Sequence, residues 1–182
     1  QDEVAQSVLA DNYSQTQFLA IANNQALLRH REYATLADFL EAHAHLDRDL
    51  EALPDVRTWD SRGRTQQPLT RAELAILLAY SKNWLKLALA TPELAEDKYL
   101  LAELKSSFPV AIRQNYGSTL QKHPLAIPLA ATRLASLITE RLGMGALPRL
   151  LRHEGSNPLK VARAFMIARS LLALDSLWQQ LD

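Results

Sequence analysis

The tetrapeptide Thr70-Arg71-Ala72-Glu73 stands directly before a run of leucines at helical spacing, and no other feature constrains the fold as much. It is a capping box, in which the threonine hydroxyl and the glutamate carboxylate satisfy amides that a helix start leaves without partners. The spacing predicts a helix from about 71 to 90, about 30 Å long at 1.5 Å per residue. Leu74, Leu77, Leu78, Leu85 and Leu89 line one face, and Ile76, Tyr80 and Leu87 lie round another. Only a narrow stripe near Lys82 and Lys86 is polar. A helix apolar round most of its circumference must be covered on several sides, which predicts a central place in a helical bundle. Thr91-Pro92 ends it.

The flanking sequence extends the same class. Residues 2 to about 27 read as helix, with a break or kink at the polar run Asp11, Asn12, Ser14 and Gln15. A second helix spans about 31–45, and Asp47 suits the N-cap of a short turn before Pro54. Residues 54–68, with Pro54, Asp55, Asp60, Ser61, Gly63 and Pro68, read as a loop that Trp59 pins to the surface. Downstream, Asp97 caps a helix reaching Phe108, and Pro109 opens a short one ending near Gly117. Pro124 and Pro128 cannot both lie in a regular helix interior, so the next helix is expected to start at Pro128 and reach Leu142. A short helix near 146–154 should stop at Gly155 in a left-handed cap, and Asn157-Pro158 then opens another. The last helix runs from Asp175 to Leu181. With no period-2 strand, the expectation is all-α: an irregular bundle of about seven to nine helices around the central one. Residues 1–53 form its N-terminal segment, 54–68 a loop and 69–182 the bundle proper; the length fits one compact domain, or two small lobes sharing a core.

Charge and cysteine content narrow the function. Twenty basic side chains balance twenty acidic ones, which gives no electrostatic reason to expect nucleic acid or an anionic membrane as partner. The balance is uneven along the chain. Residues 1–60 hold 11 acidic and 4 basic side chains, and the remainder 9 acidic and 16 basic. Two readings fit: an acidic helical pair against a more basic bundle, or patches facing other parts of a larger assembly. Without cysteine there is no disulfide framework, thiolate zinc site or thiol nucleophile. No uncharged apolar run approaches the ~18 residues of a membrane span, and nothing at the start resembles a signal peptide. The chain begins at Gln1, directly in a helical pattern, which suggests an excised or processed piece.

The search for chemistry returns little. Gly143-Met144-Gly145 lacks the third glycine and the preceding strand of a dinucleotide turn, and reads as a helix breaker. His43 and His45, two apart, point to opposite sides of a helix and cannot grip one ion together. His30, His123 and His153 lack a carboxylate four residues away, and read as surface or capping residues. Ser106, Ser107 and Ser118 stand in no strand–turn–helix elbow. Glu93, Glu96 and Asp97 cluster where they complement a helix dipole. Arg149, Arg152, His153, Lys160 and Arg163 form either a solvated basic face or a patch for an acidic partner. No catalytic, cofactor-binding or metal-binding residue is assigned.

Several stretches, taken in order, resemble the large bacterial NAD-specific glutamate dehydrogenases. They are Val8 to Gln17, Leu46 to Pro54, Leu69 to Lys82, Phe108-Pro109 with Ala111 to Arg113, Lys122 to Leu125, Ala131-Thr132 with Arg141 and Gly143, Val161 to Phe165, and Leu174 to Trp178. The resemblance implies a C-terminal helical region downstream of the substrate lysines, catalytic aspartate and dinucleotide fold, so none of those residues carries over. It makes 1–53 the segment leading out of the catalytic region. The parent enzyme would use NAD to oxidise L-glutamate, in the cytoplasm, and the partners implied are that upstream region and other subunits of a homo-oligomer. Pro124, Pro128 and Pro148 stand where relatives carry helix-compatible residues, and Arg133 and Ser136 fall within a segment that is Asn-rich in relatives. Two other readings stay open: an independent helical interaction module, and a small-molecule site between helices.

Overall fold

A computed structural model describes residues 2–153 and 157–181. Among them are eleven α-helices, eight of them seven residues or longer, and no strand. The all-α expectation holds. No helix among the described residues is long and apolar enough to cross a membrane.

The chain divides into two compact units, residues 1–85 with 139–149 and residues 86–138 with 150–182. Two of the three changeovers fall inside long helices and the third inside a six-residue one, so a search for polar linkers passes over them.

In the first unit, α1 (Asp2–Asn24) runs without a break through Asp11–Gln15, where a kink was expected. A serine weakens a helix when its hydroxyl turns back on its own backbone. Ser14 instead donates to Glu140 Oε2 at 3.0 Å. α2 (His30–Ala44) buries Tyr33, Leu36, Ala37 and Leu40 and closes on His45 in the left-handed conformation, with φ of 54°. The His45 and Leu46 amides then both reach back to the Leu40 carbonyl, the latter at 3.2 Å, and so satisfy a carbonyl that the helix end leaves without a partner. Asp47 caps the following turn, accepting from the Asp49 and Leu50 amides at 3.0 Å each.

The stretch expected to be a loop contains α3 (Val56–Arg64). Its polar residues serve a helix: Asp55 is the N-cap, accepting from the Thr58 amide at 2.6 Å. Trp59, expected at the surface, is 1% exposed and sits in the core with Tyr33, Leu36, Leu40, Leu69, Leu74 and Leu77. Gly63 has a packing reason, because a Cβ there would lie 2.8 Å from His30 Nε2.

α4 (Arg71–Leu89) carries out the capping box: Thr70 N donates to Glu73 Oε2 at 2.7 Å and Glu73 N donates to Thr70 Oγ1 at 3.2 Å. Leu74, Leu77, Leu78, Leu85 and Leu89 are all buried. The second face is only partly covered. Ile76 and Tyr80 are half-buried and Leu87 is 70% exposed.

In the second unit, α5 (Pro92–Glu96) and α6 (Lys98–Leu101) are short, and a 3₁₀ stretch, Ala102–Ser107, replaces the continuous helix expected to Phe108. α7 (Val110–Tyr116) follows Pro109, which takes the N-cap position and not the first helical one. α8 (Ala126–Leu142) starts two residues before Pro128. A first-turn proline lacks only an N–H that would have no helical partner, so Pro128 need not begin the helix. α9 (Ala146–Leu151) ends before the cap expected at Gly155, which lies outside the described residues. α10 (Pro158–Leu171) opens on Asn157, whose side chain accepts from the Lys160 amide at 2.8 Å, and α11 (Leu174–Leu181) closes the chain. Leu94, Leu100, Leu104, Ala130, Leu134, Phe165 and Met166 are among the buried residues of this unit.

Candidate functional site

Burying a charge without a partner is costly, so a buried ionisable group either answers to a partner or marks a site. Arg48, 7% exposed, is the most enclosed cation. Its Nη2 donates to Asp38 Oδ1 at 2.6 Å and Glu41 Oε2 at 2.9 Å, and its Nη1 to the Pro54 carbonyl at 3.3 Å. The guanidinium also lies 5.4 Å from the Trp59 ring centroid. Burial pulls its pKa down, and the hydrogen bonds and charges of Glu41 and Asp38 more than reverse that. Arg48 lines an open cleft of about 500 Å³ with Glu41, His45, Asp47, Asp49 and Asp55. Asp47 and Asp55 are already bonded to backbone amides as caps. The cleft is held together by its charges; no carboxylate in it is poised beside a nucleophile.

Two further ion pairs of this unit follow the same pattern. Arg62 Nη1 donates to Glu73 Oε1 at 2.8 Å, tying α3 to the capping box. Lys82 Nζ donates to Glu140 Oε1 at 2.6 Å, while Ser14 takes the other oxygen.

In the second unit Asp97 Oδ1 accepts from the Tyr99 and Leu100 amides at 3.1 Å each, and Oδ2 accepts from Arg163 Nε at 2.9 Å. Burial pushes the Asp97 pKa up, but the Leu100 amide, the Arg163 guanidinium and the Tyr99 amide together hold it below the usual carboxylate range. Arg169 bridges Glu103 at 2.8 Å and Asp175 at 2.7 Å beside a cleft of about 210 Å³ that Tyr99 and Met166 also line. Tyr99 donates its hydroxyl to the Met166 carbonyl at 3.0 Å.

The residues weighed in the sequence are dispersed by the fold. His43 Nδ1 bonds to the Phe39 carbonyl of its own helix at 2.9 Å and stacks on that ring. His45 terminates α2, and His123 Nδ1 accepts from the Leu125 amide at 3.1 Å. His30 Nε2 donates to the Trp59 carbonyl at 2.9 Å, a bond between α2 and α3. His153 is exposed. Ser106 donates to the Glu103 carbonyl at 2.7 Å, and Ser107 and Ser118 are exposed. Of the acidic cluster, Glu93 and Glu96 are exposed while Asp97 is buried in its cap. In the basic group, Arg149 belongs to the first unit and Arg152, His153, Lys160 and Arg163 to the second, with Arg163 engaged by Asp97. Among the described residues no group of three or more His, Asp and Glu could hold a metal ion.

The glycine pair does not fit a dinucleotide. Gly143, with φ of +86°, terminates α8. A Cβ on Gly145 would lie 2.4 Å from Glu32 Oε1, so a carboxylate occupies the side from which a phosphate would approach. Glu32 is itself paired with Arg29 at 3.2 Å.

The remaining candidate is surface. All twelve residues from Asp2 to Tyr13 are exposed, including Val4, Val8, Leu9 and Tyr13. Leu28 is 88% exposed, and Leu171 and Leu172 form a second apolar group where α10 ends. Single exposed leucines are ordinary, but a helix of three turns with no buried residue is not.

Known proteins offer a comparison for this arrangement. A family model described as glutamate dehydrogenase, C-terminal, matches residues 66–182. The NAD-specific glutamate dehydrogenase of Pseudomonas aeruginosa is 34% identical over 181 residues, covering all of this chain and 11% of that protein. The enzyme of the same name from Halomonas elongata is 32% identical over the same share, and that from Mycobacterium tuberculosis is 27% identical over 180 residues. The chain therefore spans about 11% of the length of these relatives. No solved structure matches it.

Proposed function

The chain belongs to the glutamate dehydrogenase C-terminal family, and from that premise we propose that it is the non-catalytic helical end of an NAD-dependent glutamate dehydrogenase. The parent enzyme oxidises L-glutamate with water and NAD to 2-oxoglutarate, ammonia and NADH, in the cytoplasm. Nucleotide and substrate are held elsewhere in the parent, and this region supports assembly, geometry or regulation. The observation that carries the reading is the apolar surface the chain leaves open on α1 and at the end of α10, beside buried charges already engaged in caps and ion pairs. Covering such surface is worth about 25 cal/mol per Å² of apolar area, which favours a packing partner. The upstream catalytic region and neighbouring subunits are the partners that fit; nucleic acid and membrane are not part of this reading.

Removing these residues from the full-length enzyme tests it. The expected result is impaired oligomerisation, solubility or turnover, and no glutamate-dependent NAD reduction by the 182-residue chain alone. Unchanged assembly and kinetics in the truncated enzyme would overturn the reading in favour of a detachable binding module.

A further inference from the structure

We draw no further inference here: the strongest candidate, the exposed face of α7 that carries Ile112, Arg113 and Tyr116 within the acid-free stretch 104–139, carries nothing because nothing in the structure shows what covers it.

Discussion

α1 and α4 are the two longest helices, of 23 and 19 residues, and they hold their shape for different reasons. α4 opens on a capping box braced by Arg62 and buries five leucines. α1 buries only Ala22 along its length, and its first half touches solvent on every side. Each carries many apolar residues, so content does not separate them. Spacing does: the α4 leucines recur at three, four and seven along one face, while Val4 and Val8 share one face of α1 and Leu9 and Tyr13 another. One helix is specified by the chain's own core. The other leaves its first twelve described residues exposed.

The largest effect that would test this contrast lies in α4. Leu77→Ala should cost about 3 kcal/mol in chemical denaturation, because Leu77 is fully buried and its neighbours relax only partly into the space left. A loss below about 1 kcal/mol would mean that α4 is not the packed element its burial indicates. Glu73→Ala comes next, at about 1–2 kcal/mol. It removes the acceptor for the Thr70 amide and leaves the Arg62 guanidinium without its carboxylate. Glu73→Gln keeps the cap geometry and should recover part of that loss, which separates capping from charge.

These two positions also mark what the sequence made legible. The capping box and the α4 leucines were readable because each depends on neighbours within a turn or two. The same is true of the Asn157-Pro158 start of α10. Helix α3 was missed because Asp55, Ser61 and Gly63 are loop formers by composition, and only the His30 ring explains the glycine. Trp59 was misplaced for the same reason, since its core position depends on residues of α2. The ion pairs Lys82–Glu140 and Asp97–Arg163 join residues 58 and 66 apart, which no local pattern announces. The bare face of α1 was hidden too, because helical periodicity shows which residues share a face and not whether anything covers it.

A smaller effect should appear with pH in the second unit. The folded Asp97 carboxyl titrates below its unfolded value, so it stabilises the fold fully above about pH 4. That stabilisation is lost as pH falls from there through the lower folded value. Asp97→Asn should therefore flatten the acid limb of the stability curve below about pH 4 and lower stability at neutral pH by about 1 kcal/mol. An acid limb unchanged by the substitution would show that the ionised Asp97 carboxylate and its Arg163 pair contribute nothing to folding.

The smallest expected effect is in α1. Leu9 is 67% exposed, and glutamine matches leucine closely in helix propensity. Leu9→Gln should leave the denaturation midpoint unchanged within about 0.5 kcal/mol, measured in dilute solution where copies do not meet. Leu77→Ala removes three carbons from a filled space, whereas Leu9→Gln changes a side chain that already faces water. If Leu9→Gln cost more than about 1 kcal/mol in dilute solution, α1 would be packed within its own chain, and the distinction between a self-covered helix and one left open would fail.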